Sequence, residues 1–119
     1  MKKTLVLGAT PNPDRYANIA ANKLVRYGHE IVNVGLKTGT VAGVPIEKPE
    51  VIHSDIDTIT LYVGPHNQGP LYDYILNTKP KRVVFNPGTE NDELEDKLKE
   101  NGIETEEACT LVLLSTGQY

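Results

Sequence analysis

Short apolar runs alternate along the chain with longer segments of helical periodicity, and this alternation limits the folds that the chain can adopt. The run at 3–9 is almost continuously apolar and stops after a glycine, which is typical of a strand buried on both faces. Similar signals predict four further strands, the last of them the least regularly patterned, at 29–35, 57–64, 82–86 and 103–108.

Helical patterns separate these strands. Residues 16–28 place their apolar side chains mostly on one face and end at a glycine. Residues 66–78 and 89–102 show the same periodicity, whereas 109–115 fits a helix or a strand. Helices of this length between strands imply right-handed crossovers in a parallel sheet. We therefore predict an α/β fold, a single Rossmann-like domain over 1–119 with a mostly parallel five-stranded sheet and helices on both faces.

The longest irregular stretch, 37–56, is rich in glycine, proline and charged residues. We expect a loop there, with room for one short extended piece. Loops of this length are often functional.

Length and charge exclude several classes of protein. The 119 residues suffice for one domain with one core, and a net charge of −4 gives no footprint for a nucleic acid or a membrane surface. The first apolar run has only about five residues, too few for a signal sequence or a membrane span. A single cysteine, Cys109, excludes an internal disulfide and suits a reducing compartment. We expect a cytoplasmic protein.

The segment between the first strand and the first helix carries the clearest chemical signal. Ligands of open parallel sheets bind at the carboxyl ends of the strands, and the unpaired N–H groups of a helix N-terminus favour an anion there. Gly8 permits a sharp turn, Thr10 offers a hydroxyl, Arg15 brings a guanidinium suited to phosphate, and Asn18 lies one helical turn further. An ordinary strand-to-helix turn also needs a glycine and a cap, so both interpretations stay open at this point.

The end of the second strand discriminates among nucleotides. A site for NAD usually has an acidic residue there, whereas this chain has Lys37 and no acid before Glu47. The first loop also departs from the G-x-G-x-x-G pattern, because Thr10 and Pro13 replace its second and third glycines. Lys37 is either a solvated side chain or, together with Arg15, the second cation that a 3′-phospho-ADP or 2′-phospho-ADP ligand requires.

These segments resemble the small CoA-binding protein family, which is Rossmann-like and related to the CoA-binding domain of the succinyl-CoA synthetase alpha subunit. The resemblance extends from about Lys3 to Leu113. Its most specific parts are G-A-T-x-x-x-x-R-Y-x-N, which begins at Gly8, the second strand with a lysine at its end, and the later P-G-x-x-N turn.

The resemblance implies that the chain binds coenzyme A. The first loop would hold the pyrophosphate, Lys37 would approach the ADP phosphates, and the loops after the third and fourth predicted strands would line the path of adenine and pantetheine. The cofactor-binding residues that it suggests are Gly8, Ala9, Thr10, Arg15, Tyr16, Asn18 and Lys37, followed in a second rank by Gly64, Pro65, Asn86, Pro87 and Gly88.

Hypotheses of different classes follow. One is non-catalytic binding of CoA or an acyl-CoA, since no nucleophile–base pair or metal cluster stands out in the sequence. Another is a small NADP(H)-dependent reductase or transferase subunit, with His66 in proton transfer. A third is an interaction surface that has lost its ligand. For His66 a helix-capping or solvent-exposed side chain is the favoured interpretation, and for Cys109 a small buried hydrophobe is favoured over a group that faces the ligand thiol. A homodimer or another protein partner stays open.

Overall fold

The computed structural model describes all residues from 1 to 119. Seven strands and four α-helices follow one another along the chain, with two short 3₁₀ turns, Pro65–Asn67 and Gly69–Leu71, before the second helix. The elements are β1 (Thr4–Leu7), α1 (Tyr16–Arg26), β2 (Ile31–Val34), β3 (Thr40–Val41), β4 (Val44–Glu47), β5 (Thr58–Leu61), α2 (Tyr72–Thr78), β6 (Arg82–Phe85), α3 (Asp92–Glu100), β7 (Glu104–Glu107) and α4 (Thr110–Ser115).

All strands join one sheet in the order β3-β4-β2-β1-β5-β6-β7. Every neighbouring pair is parallel except β3 with β4. From the central β1 the chain winds first toward β2 and later toward β5, so the winding direction reverses beside β1. The mostly parallel α/β architecture is confirmed, and the five predicted strands correspond to β1, β2, β5, β6 and β7.

The prediction of five strands was wrong by two, because the stretch 37–56 contains the hairpin of β3 and β4. Ala42 and Gly43 both have positive φ, of 53° and 79°, as a two-residue type I′ turn requires. The Asn33 side chain holds this hairpin by donating to the carbonyls of Val41 at 3.1 Å and Val44 at 3.0 Å. β3 has only two residues and pairs with β4, and β4 joins the sheet through its pairing with β2. Tertiary pairing therefore defines this hairpin more than any local periodicity does.

Helices cover both faces of the sheet, and successive strand residues pack into different layers. Val6 belongs to the layer formed with α1 and α4, while its neighbours Leu5 and Leu7 belong to the layer formed with α2 and α3. Small side chains, those of Ala17 and Ala21, are the main contribution of α1 to its layer, together with Leu24. The segment with the ambiguous pattern is a helix, α4. None of the helices is long and apolar enough to cross a membrane.

A buried carboxyl group lies where α3 meets the edge strand β7. Glu95 is 8% exposed, and its Oε2 has no hydrogen-bond partner. Carboxylate oxygens of Asp92, Glu95 and Glu107 lie within 4.8 Å of one another. Burial first, and the neighbouring Glu107 second, raise the pKa of Glu95 to about 7.

Because folding raises this pKa, the contribution of Glu95 to stability is greatest at low pH and is lost as the pH rises through 7. We expect Glu95→Gln to increase the free energy of unfolding at pH 8 by about 1–2 kcal/mol, and to leave it nearly unchanged near pH 4.5. Urea denaturation at both pH values measures this, with the exposed Glu100→Gln as the control. An equal gain at both pH values would contradict a buried carboxyl that resists ionisation.

Candidate functional site

An open cleft of about 1490 Å³ lies at the carboxyl end of the sheet, where the winding reverses. Four chain segments line most of it, each directly after a strand: the β1–α1 segment, the residues after β2, those after β5 and those after β6. This is the position at which open α/β sheets bind ligands. The topology therefore identifies the cleft as the candidate site.

Local hydrogen bonds fix the β1–α1 segment in shape. The Thr10 hydroxyl oxygen accepts from the Asn12 N–H at 3.2 Å, and Asn12 Oδ1 accepts from the Asp14 N–H at 3.0 Å. The buried Asn18 side chain reaches back from α1 and donates to the Thr10 carbonyl at 3.0 Å. Its own Oδ1 accepts from Asn22 at 3.0 Å. Little conformational entropy is then left for this segment to lose on binding.

Three backbone amides in this segment have no partner within the chain: those of Thr10, Tyr16 and Ala17. Tyr16 and Ala17 open α1, whose first turn carries no acidic residue. No carboxylate within the first turn therefore offsets the positive end of the helix dipole. Unpaired amides and a helix N-terminus together favour an anion at this point.

The two cations of the cleft are free to act on a ligand. Arg15 is the N-cap of α1 and Lys37 follows β2, and both side chains are exposed. Neither is among the four ion pairs of the chain. Asp14 is the one carboxylate that lines the cleft. The cleft is therefore locally cationic in a protein whose net charge is −4.

Two glycines let the walls of the cleft approach each other. A Cβ on Gly35 would lie 2.5 Å from the Ala9 carbonyl oxygen, and a Cβ on Gly8 would lie 2.9 Å from the Tyr62 carbonyl oxygen. Gly8 also has a φ of +99°. Both contacts involve backbone atoms that cannot rotate away, so a larger residue would separate the strand ends.

Most of the residues suggested from the sequence lie together. The nine that line the cleft are Gly8, Ala9, Thr10, Arg15, Tyr16, Lys37, Gly64, Pro87 and Gly88. Asn18 lies outside the lining and instead binds the Thr10 carbonyl of the first loop. Pro65 is exposed at the start of a 3₁₀ turn, outside the lining.

The side-chain amide and carbonyl groups of Asn86 both form hydrogen bonds within the protein. It is 2% exposed, and its amide donates to the Thr60 hydroxyl at 2.8 Å and the Leu61 carbonyl at 2.9 Å. Its Oδ1 accepts from the Thr110 N–H at 2.9 Å. The side chain therefore ties β5, β6 and α4 together, and Pro87 and Gly88 behind it are the residues presented to the cleft.

Leu36, Tyr62, Val63 and Thr89 also line the cleft and were not predicted as site residues. Leu36 follows a predicted strand directly, whereas Tyr62 and Val63 fell within the predicted strand 57–64 and Thr89 at the start of a predicted helix. The observed β5 ends at Leu61, which leaves Tyr62 and Val63 at the strand end that faces the cleft. Burial raises the pKa of Tyr62 to about 12, so this phenol stays neutral at physiological pH. His66 is an exposed part of the lining. Cys109 is outside the cleft, in a smaller pocket beside it.

We expect Gly35→Ala to lower the free energy of unfolding by about 1–3 kcal/mol, the usual cost of forcing extra volume into a packed site. The reason is the 2.5 Å approach of the new Cβ to the Ala9 carbonyl oxygen. Chemical denaturation measures the change. Gly64→Ala is the matched control, because Gly64 also lines the cleft, has a φ of −63° and leaves open space around an added Cβ. Equal stability of the two variants would contradict the close approach.

Comparison with known proteins identifies relatives of this chain. A family model described as a CoA binding domain matches residues 2–115. No curated protein matches the chain.

Solved structures support the same assignment of the fold. One described as an uncharacterized protein is 55% identical, with a TM-score of 0.98, and the match covers 100% of this chain and 98% of that chain. One described as cell-free ID.343 from Thermus thermophilus is 22% identical with a TM-score of 0.86, and the match covers 99% of this chain and 90% of that chain. The dinucleotide-forming acetyl-coenzyme A synthetase 1 of Ca. Korarchaeum cryptofilum, solved with phosphate and ADP, is 17% identical with a TM-score of 0.69, covering 87% of this chain and 25% of that one. The last two comparisons show a shared fold.

Proposed function

Because the chain belongs to the CoA-binding domain family, we propose that it binds coenzyme A or an acyl-CoA in this cleft and does so without a chemical step. The observation that carries the proposal is the meeting of unpaired amides and free cations at the strand ends. Thr10, Tyr16 and Ala17 offer N–H groups, and Arg15 and Lys37 offer positive charge. A nucleotide with more than one phosphate group matches that set.

The diphosphate is assigned to the N-terminus of α1. Its oxygens would accept from the free amides of Tyr16 and Ala17, where the helix dipole adds to the attraction. Arg15 stands next to these amides in the chain, and its guanidinium forms charge-assisted hydrogen bonds that are stronger than neutral ones. The hydrogen bonds that hold the loop in shape reduce the entropic cost of binding.

Lys37 is assigned to the second phosphate, the one on the ribose. It follows β2, which neighbours β1 in the sheet, so it lies at the opposite side of the β1–α1 segment from β5. β2 and the turn after it contain no acidic residue that could accept hydrogen bonds from free ribose hydroxyls. The same lysine would suit the 2′-phosphate of NADP, which keeps a small NADP(H)-dependent reductase or transferase subunit as the second candidate.

The two candidates differ in which nucleotide stabilises the protein. We expect CoA to raise the midpoint temperature of thermal unfolding, and NADP or NAD at equal concentration to raise it clearly less. A larger shift with NADP would favour the reductase or transferase. No shift with any of the three at millimolar concentration would contradict nucleotide binding and favour an interaction surface.

Arg15→Ala is expected to weaken CoA binding by about 1–3 kcal/mol, the scale of a lost charge-assisted hydrogen bond. Calorimetric titration gives the affinity, and circular dichroism checks that helix content is preserved. Arg26→Ala is the control, since Arg26 is also exposed but lies in the last turn of the same helix. Unchanged affinity in Arg15→Ala, or equal loss in both variants, would remove Arg15 from the site.

Lys37→Ala is expected to abolish most of the preference for CoA over dephospho-CoA, which lacks the ribose phosphate. The unmodified protein should bind CoA about tenfold or more tightly than dephospho-CoA, because a charge-assisted contact contributes about 1.5–3 kcal/mol. Lys97→Ala, an exposed lysine on α3, serves as the control. A parallel loss of affinity for both ligands in Lys37→Ala would contradict the assignment to the ribose phosphate.

A further inference from the structure

A second, smaller pocket of about 210 Å³ opens beside the cleft. Its walls are Tyr16, Tyr62, Asn86, Pro87, Cys109 and Leu111. Three of these residues, Tyr16, Tyr62 and Pro87, also line the cleft. The two spaces are therefore adjacent at these three residues.

The pocket offers few polar groups to an occupant. All the hydrogen-bonding positions of the Asn86 side chain are taken by Thr60, Leu61 and Thr110. The Tyr62 hydroxyl is buried from solvent and has no hydrogen-bond partner in the chain. What remains is aliphatic and aromatic surface with one thiol, which is only weakly polar. An apolar group fits this lining better than a charged or strongly hydrogen-bonding one.

The position of the pocket in the sheet matches the far end of a CoA molecule. Lys37 follows β2 and Pro87 follows β6, and β1 and β5 lie between these strands. Three strand spacings separate the two ends of the site, about 14 Å at the usual distance between neighbouring strands. A CoA whose ribose phosphate meets Lys37 and whose diphosphate meets α1 would therefore send its pantetheine arm across the end of β5 toward the pocket.

We infer that this pocket receives the acyl group of a short-chain acyl-CoA, so that the protein selects a thioester over free CoA. The inference rests on the proposed function. The volume limits the chain length, because an apolar cavity of about 150 Å³ holds one benzene molecule. A pocket of 210 Å³ accordingly accommodates acyl groups of roughly two to six carbons.

Calorimetric titration with CoA, acetyl-CoA, butyryl-CoA and palmitoyl-CoA tests the inference. Each methylene group buried is expected to increase affinity about fourfold. Affinity should therefore rise from CoA through acetyl-CoA to butyryl-CoA, by tenfold or more in total, and palmitoyl-CoA should gain nothing beyond butyryl-CoA.

The outcomes separate this inference from the proposed function. Equal affinity for CoA and butyryl-CoA would overturn the acyl pocket while leaving CoA binding in place. Binding of none of the four compounds would overturn both. A continued rise in affinity to palmitoyl-CoA would overturn the stated size limit and with it the assignment of this pocket.

A substitution that fills the pocket tests the same inference on the protein side. In Leu111→Trp the ratio of butyryl-CoA to CoA affinity should fall to about one. The control is Val112→Trp, next to it on α4 and 55% exposed, in which the ratio should stay as in the unmodified protein. If Leu111→Trp does not fold, Cys109→Met narrows the same pocket with less added volume and should lower the same ratio. An unchanged ratio in a folded pocket-filling variant would overturn the inference.

Discussion

The Val34 carbonyl at the end of β2 accepts two hydrogen bonds, from the N–H groups of Gly8 at 2.9 Å and Ala9 at 3.0 Å. This pair of bonds ends β1 and turns the chain into the segment that leads to α1. It forms only because Gly35, the residue after Val34, has no side chain and packs directly on the Ala9 backbone. The free amides of Thr10, Tyr16 and Ala17 come after this turn, so their positions at the cleft depend on how β2 ends. The proposed anion site is therefore a property of two neighbouring strands together.

Buried asparagines connect the sheet to the segments that line the cleft. Asn18 holds the first loop, Asn33 holds the β3–β4 hairpin, and Asn86 joins β5 and β6 to α4. Each satisfies carbonyl or N–H groups that strands and helices leave unpaired where they end. In a sequence, an asparagine near a strand end looks the same whether it binds a ligand or the backbone. Only the packing distinguishes the two cases, and in this fold Asn18 and Asn86 bind backbone groups.

Local patterns predicted the parts of the molecule that local physics determines. The apolar runs, the helical periodicity and the turn glycines identified five strands and both helical layers, and Gly8, Thr10 and Arg15 pointed to the first loop. The hairpin at Thr40–Glu47 was missed because β3 has only two residues and because β4 is defined by its pairing with β2. Tyr62 and Thr89 were missed because they reach the cleft through the order of strands in the sheet, which no single segment encodes. The family resemblance supplied the ligand class, which the residues alone left open.

An acidic protein can offer a site for a polyanion because its charges are separated in space. Glu104, Glu106 and Glu107 lie in β7, and further acids open α3 beside it. This edge is three strands from β1, or about 14 Å at ordinary strand spacing, whereas ionic screening at physiological salt acts over about 8 Å. Part of the acidic charge is also neutralised locally, since Arg82 pairs with Glu106 at 3.1 Å. At the cleft, by contrast, Arg15, Lys37 and the helix dipole act at short range. The net charge of the chain therefore says little about the ligand, and the arrangement around β1 determines the sign of the site.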